Sequence, residues 1–235
     1  MANWITHMMV ADAVHARFAQ LDRTGFCVGN IAPDCNIENE DWTAFTPPRE
    51  VTHWMSGERK DGSDCERFFR ECVERKSFGS GQERAFYLGY YSHLVTDACF
   101  QRFTRDARRV EVMFERIRNQ PDMARKMEGL AYDYDVVKRT FGKRERMRDI
   151  AQIEYEYLCA NPQSAYLTVL RKVDAFPEYL DYLPKGAIVR KLGVMAVLPE
   201  PVEDARFVFI SRDEYQGFVE NACEEVIGKL MRMKM

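Results

Sequence analysis

Apolar positions recur at helical spacing along almost the whole chain. Residues 4–19 carry Ile5, Met8, Met9, Asp12, Ala13, Ala16 and Ala19 at steps of three and four, and Asn3 stands where an N-cap is wanted. Residues 21–48 break the rhythm with Gly25, Gly29, Pro33, Pro47, Pro48 and several Asn and Asp, and read as an irregular arm. An arm that long is normally functional or disordered, and its Phe26, Val28, Ile31, Trp42 and Phe45 favour packing. Ser63-Asp64-Cys65-Glu66 and Ser80-Gly81-Gln82-Glu83 are capping-box patterns, a Ser that accepts an orphan N–H and a Glu that reaches back. The first predicts a helix to about 76.

The second box opens the most apolar helix, 84 to about 99, with Phe86, Tyr87, Leu88, Tyr90, Tyr91, Leu94, Val95 and Ala98 covering nearly its whole circumference. A helix apolar all round should be central. Gly89 in its middle marks a close helix crossing. Further helices are expected at 104–118, 121–129, 133–141 and 143–159. Another should start at Asn161-Pro162 and stop before Pro177, with short pieces near 178–183 and 186–197. Ser211-Arg212-Asp213-Glu214 opens a terminal helix whose Tyr215, Phe218, Val219, Ala222, Val226 and Leu230 form one stripe. Only residues 206–210 alternate with a period of two. The expectation is an all-α fold, with residues 1–235 as a single helical domain.

Composition narrows the function. A chain of 235 residues with 46% hydrophobic content can bury a full core. Lys and Arg number 34 against 37 Asp and Glu, a net charge of -3, so no stable nucleic-acid partner and no polybasic membrane surface is expected. Residues 101–148 are locally basic, 14 Lys and Arg against 8 Asp and Glu, which reads either as solvated helix faces with i,i+4 pairs or as a phosphate-facing surface. No run of apolar residues is long enough for a membrane span, and the start lacks the basic flank of a signal peptide, so a cytoplasmic location is expected. Seven cysteines without a CxxC pair argue against a disulfide framework.

The polar groups in need of explanation lie early. All four histidines, His7, His15, His53 and His93, fall within the first hundred residues. His93 and Asp97 sit at i and i+4 on the apolar helix, so both side chains share a face and could converge on one ion. A satisfied His–Asp hydrogen bond or a partly exposed face would use the same spacing. His7 alone reads as a core or interface histidine, His53 as a sheltered ring beside Trp54, and Asp34 as a turn acid. Together, Asp34, His53, His93 and Asp97 offer the imidazole nitrogens and carboxylate oxygens that Zn²⁺ takes.

Four segments carry a resemblance. Asn3-Trp4-Ile5-Thr6-His7, Gly29-Asn30-Ile31-Ala32-Pro33-Asp34, Thr52-His53-Trp54, and the stretch from Phe86 to Asp97 with its His-x-x-x-Asp occur in the order found in the zinc-dependent phospholipase C family. That family's wider relatives include the S1/P1-type nucleases. The resemblance covers roughly residues 3–100 and implies an all-α fold holding a cluster of zinc ions. Asp34, His53, His93 and Asp97 look like the ligands of a central ion. His7 looks like a ligand of a neighbouring second ion, with Asp97 bridging. Secreted relatives also bind through a free N-terminal Trp, whereas Trp4 here is internal. The family's remaining ion uses a later His-x-x-x-Glu, and no histidine follows His93, so Asp106, Glu111, Asp133 and Asp135 are the candidate substitutes and His15 a spare. The implied activity is zinc-dependent hydrolysis of a phosphate ester, above all a diester such as a phospholipid headgroup, with Asp34 as general base as well as ligand. Arginines of 101–148 would hold the phosphate, and the arm 21–48 would cover the site. The competing expectations are a non-catalytic metal-bound domain that binds a phosphate-bearing ligand or acts as an interaction module, and a helical scaffold without metal.

Overall fold

The computed structural model describes residues 2–41, 43–55, 62–195 and 197–233; Trp42, grouped above with the packing residues of the arm, lies outside them. The chain runs α1 (Trp4–Arg17), α2 (Arg23–Gly29), a 3-10 turn (Ala32–Asp34), a hairpin of β1 (Ile37–Glu38) and β2 (Phe45–Thr46), α3 (Arg49–Thr52), and α4 (Cys65–Phe68), which continues as a π-helical turn Phe69–Glu74. Then come α5 (Gly81–Arg105), α6 (Ala107–Arg118), α7 (Pro121–Met127), α8 (Tyr134–Thr140), α9 (Lys143–Ala160), α10 (Ala165–Thr168), a 3-10 turn (Leu170–Lys172), α11 (Ala187–Met195) and α12 (Arg212–Arg232). The fold is predominantly helical, as the periodicity predicts.

Helix α5 is the axis. Its 25 residues reach about 37 Å at ~1.5 Å per residue, and the run from Ala85 to Asp97 is buried without a break. Its length exceeds the predicted one because the helical pattern continues past Cys99 with Phe100 and Phe103 packed on Phe218 of α12. Helices α1, α2 and α12 pack around it. The contact with α2 is backbone on backbone. A Cβ on Gly29 would stand 1.9 Å from the Phe86 carbonyl oxygen, and one on Gly89 2.0 Å from that of Phe26. The arm is therefore not irregular throughout: Asp22 caps α2 through the Gly25 N–H, and Gly25 and Gly29, which look like loop residues in sequence, are what lets this helix touch α5.

Other expectations are corrected by long-range carboxylates. Asn3 holds the N-cap position of α1, but its side chain donates to Glu154 of α9, and Glu154 instead accepts the Thr6 N–H at 3.0 Å. The first box is capped by Asp64 rather than Ser63. In the second, Ser80 accepts from Glu83 as expected, while the Glu83 carboxylate takes the Gly79 N–H; only Ser211 and Glu214 form the full reciprocal box. The helix expected from Asn161 starts at Ala165, whose N–H is taken by Asp12 of α1, and residues 178–183 are non-helical. Residues 206–210 alternate yet form no strand, because Asp149 accepts the N–H groups of Phe207 and Phe209 at 2.9 Å. The one sheet among the described residues is the β1–β2 hairpin, Ile37 opposite Thr46 and Glu38 opposite Phe45. Glu38 ties it to α11 through Arg190 and the buried Lys191, and these two cations hold its carboxyl down to about 2.

A second apolar cluster gathers α6, α7 and α8 through Met113, Phe114, Ile117, Met123 and Val137. Among the described residues no helix is long and apolar enough to cross a membrane.

Candidate metal centre

Five side chains from four segments meet against the middle of α5. His7 comes from α1, Asp34 from the 3-10 turn after α2, His53 from the C-cap of α3, and His93 and Asp97 from α5 itself. His7, His53 and His93 are almost fully buried and Asp97 is 4% exposed. Ligand atoms of His7, His93 and Asp97 all lie within 4.8 Å of one another, as do those of Asp34, His53 and His93.

Hydrogen bonds fix which ring nitrogen each imidazole offers. His93 Nδ1 lies 2.9 Å from the Asn30 carbonyl oxygen, which can only accept. Nδ1 therefore carries the proton, and Nε2 presents a lone pair. Arg49 Nη2, which can only donate, lies 3.0 Å from His53 Nε2, and His53 Nδ1 faces the Thr52 hydroxyl at 3.0 Å. His53 Nε2 is thus also a lone pair. The two Nε2 atoms face each other at 3.3 Å. Asp34 Oδ1 is 3.3 Å from His53 Nε2, and Asp97 Oδ2 is 3.8 Å from both Nε2 atoms.

Acceptors thus face one another here, an arrangement that positive charge stabilises; Arg49 supplies one such charge at His53 Nε2, and a bound cation would supply another. Its dimensions suit one. Ligand atoms 2.0–2.2 Å from a tetrahedral zinc stand about 3.3–3.6 Å apart; the His53–His93, His53–Asp34, His53–Asp97 and His93–Asp97 separations are 3.3–3.8 Å, and Asp34 and Asp97 belong to two metal-capable groups that share His93. On the other side of Asp97, Oδ1 lies 3.6 Å from His7 Nε2 and accepts the Ala2 N–H at 2.9 Å. The His7 ring stacks on His93 at 3.8 Å, and both its nitrogens are buried without a hydrogen-bond partner. The residues fit zinc by donor chemistry and by spacing.

The surroundings set the charges. Burial disfavours ionised Asp34 and Asp97, but nearby positive charge, that of Arg49 included at Asp34, holds both carboxyls well below their ordinary range. Burial and the neighbouring His7 push His93 down to about 3, so it stays neutral and ready to ligate. Trp4 Nε1 donates to Asp34 Oδ2 at 2.9 Å and so aims Oδ1 at His53.

The His93 environment predicts a pH effect on protein stripped with a chelator. Its folded pKa, about 3, lies below the 6.5 of an ordinary imidazole. The stability it contributes is whole above 6.5 and is lost as pH falls toward 3, at up to ~1.4 kcal/mol per pH unit. Glu154, whose carboxyl burial raises, acts in the opposite sense, so the comparison is with His93→Gln, which keeps that background. Between pH 7 and 5 the urea midpoint of the wild type should fall relative to that of His93→Gln. Parallel midpoints would contradict a buried neutral imidazole.

The remaining candidates stand elsewhere. His15 is half-buried on α1 outside both sets. Asp106 caps α6, Asp133 caps α8, Asp135 pairs with Arg105 at 3.1 Å, and Glu111 is exposed. Among the described residues none of these four acids joins a metal-capable group. The basic stretch is largely committed to structure. Arg102, Arg105 and Arg116 pair with Glu225, Asp135 and Glu214, and Arg109 donates to the Phe209 carbonyl. These are long-range pairs rather than i,i+4 ones.

A cavity of about 640 Å³ adjoins the cluster, with Asn3, Trp4, Asp34, Arg49, Asp97 and Glu154 in its wall. Two of its residues escape a sequence reading. Arg49 could have been flagged as the i-4 neighbour of His53. Glu154 carries no local signal, since its partners Thr6 and Tyr215 are 148 and 61 residues away.

Residues 6–100 match the family described as zinc dependent phospholipase C. No curated protein matches the chain, and no solved structure does. The matched part is thus a zinc-dependent phospholipase C-like domain. It contains His7, Asp34, His53, His93 and Asp97, while α6 to α12 lie beyond it.

Proposed function

We propose that the chain is a zinc-dependent hydrolase of phosphate esters, acting on a phosphodiester such as a phospholipid headgroup. The observation that carries this reading is the convergence on His53 and His93: their Nε2 atoms face each other at 3.3 Å, Asp34 Oδ1 lies 3.3 Å from His53 Nε2, and Asp97 Oδ2 lies 3.8 Å from both. These residues would hold a central ion, and His7 with Asp97 Oδ1 a second. Zinc bound there supplies a Lewis acid that acidifies water and draws charge from a phosphoryl oxygen.

The protein's own groups divide the remaining work. Asn30 fixes the His93 tautomer, and Trp4 orients Asp34. Arg49, beside His53 and in the cavity wall, would neutralise phosphoryl oxygens. Asp34 has one oxygen on Trp4 and the other facing His53, and its affinity for a proton is held low. That suits a ligand better than the general base the resemblance implied. Four protein donors close the central position in the manner of structural zinc. The His7–Asp97 flank has only two and is where open coordination, and hence substrate, belongs.

The test is hydrolysis of bis(p-nitrophenyl) phosphate by zinc-replete protein, by chelator-treated protein and after zinc is restored. Activity should vanish on stripping and return with zinc. If stoichiometrically zinc-loaded protein turns over no faster than stripped protein, the competing reading of a non-catalytic metal-bound domain holds. If zinc content after growth in replete medium stays below about 0.2 equivalents, neither does.

A further inference from the structure

Part of the cavity wall is built by helices outside the family-matched part. Lys138 of α8 and Lys143 and Arg146 of α9 line the same 640 Å³ space as Asp34 and Asp97. Arg146 is half-buried, and its Nε donates to the Phe141 carbonyl at 3.1 Å, a neutral acceptor that orients the guanidinium without cancelling its charge. No carboxylate pairs with Arg146 or Lys143 among the described residues, unlike Arg102, Arg105 and Arg116 of the same basic stretch. Lys138 has a loose, exposed contact with Asp135 at 3.5 Å.

Resting on the reading above, we infer that the substrate carries a second phosphate, seated against Arg146, Lys143 and Lys138, besides the ester presented to the imidazole–carboxylate cluster. The acids in the cavity wall are Asp34, Asp97 and Glu154. Two of these belong to the cluster, and the third is engaged by Thr6, Asn3 and Tyr215. The α8–α9 wall thus offers three cations on a concave surface, Arg146 half-buried and Lys143 and Lys138 exposed, with Lys138 alone of the three beside a carboxylate, and an anion gains most at Arg146. A guanidinium anchored through Nε keeps its other edge for two parallel bonds to a phosphate. A cationic headgroup such as choline would meet like charge there. Two sources offer the required chemistry, a nucleotide bearing a second phosphate and a phosphorylated inositol headgroup.

The experiment compares matched pairs on zinc-loaded protein. One pair is the p-nitrophenyl ester of thymidine 5′-phosphate with and without a 3′-phosphate. The other is glycerophosphoinositol with and without a 4-phosphate on the ring. At least one pair should show kcat/KM higher by about tenfold or more for the doubly phosphorylated member, and the pair that does identifies the source. Arg146→Gln and, independently, the exposed Lys143→Gln should drive that ratio toward one, with folding checked by circular dichroism. Ratios near one in both pairs, with bis(p-nitrophenyl) phosphate still hydrolysed, would overturn this inference and leave the hydrolase standing. If nothing is hydrolysed, calorimetric titration decides. Thymidine 3′,5′-bisphosphate against the 5′-monophosphate, or inositol 1,4-bisphosphate against the 1-phosphate, binding about tenfold tighter and losing that margin in Arg146→Gln upholds the second-phosphate seat; equal affinities within both pairs refute it.

Discussion

His93→Ala protein is expected to lose more than about a hundredfold in bis(p-nitrophenyl) phosphate hydrolysis and to retain less than half the zinc of the wild type after dialysis. Groups that only orient a metal ligand already cost 10–100-fold when removed, which sets the floor for removing a ligand itself. His93 belongs to both metal-capable groups, giving Nε2 to the central position and its ring face to His7, so its loss removes a ligand from one and the packing of the other. His7 stacks on its ring, and His53 faces its Nε2, so neither neighbour keeps its wall. Stability should respond differently. Truncation leaves the Asn30 carbonyl without its donor, a cost of about 1–3 kcal/mol. Yet it also relieves the crowding of lone pairs that metal-free protein must tolerate. The variant should therefore lie close to the wild type when both are stripped, and well below it when both are offered zinc. Urea titrations with and without zinc read this directly. A variant that keeps both its zinc and its rate would show that the cluster is not where the ion or the chemistry resides.

What the sequence makes legible follows from the range of the interactions. Helix α5 is visible because Phe86, Tyr87, Leu88, Tyr90, Tyr91, Leu94, Val95 and Ala98 cover nearly its whole circumference, a pattern that asks for a central position. The terminal helix announces itself through Ser211 and Glu214, whose reciprocal bonds span three residues. His93 and Asp97 share a face by spacing alone, but their convergence with Asp34 and His53 rests on family resemblance, since no local rule brings α3 against α5. Helix α2 is missed because Gly25 and Gly29 look like turn residues, when their lack of a Cβ serves an approach that only the tertiary structure shows. The alternating segment at 206–210 misleads in the opposite way, because Asp149, about 60 residues distant, takes the N–H groups a neighbouring strand would have bonded. Glu154 is the same kind of case. A carboxylate that caps a helix about 150 residues earlier leaves no trace in either segment.

The α2–α5 crossing gives the largest expected effect on the fold. Gly89→Ala should destabilise the protein by at least about 3 kcal/mol, the upper end of what overpacking usually costs. The new Cβ would lie 2.0 Å from the Phe26 carbonyl oxygen and 2.9 Å from the Asn30 nitrogen. Both are backbone atoms of or next to α2, so no side chain can swing aside, and the helices must separate by more than an ångström. Separation also reaches the metal centre, because the Asn30 carbonyl fixes the His93 tautomer and the chain leaving α2 carries Asp34. Zinc affinity should therefore fall with stability, although Gly89 touches no ligand. The same substitution at Gly228 in α12, where a Cβ meets nothing within 4 Å, should instead stabilise by up to about 1 kcal/mol through helix propensity. Denaturant midpoints and zinc titrations of the two variants side by side separate a packing effect from a general one. If Gly89→Ala matched Gly228→Ala in both, the two helices would not be in backbone contact, and the route by which α2 positions Asp34 and His93 would be wrong.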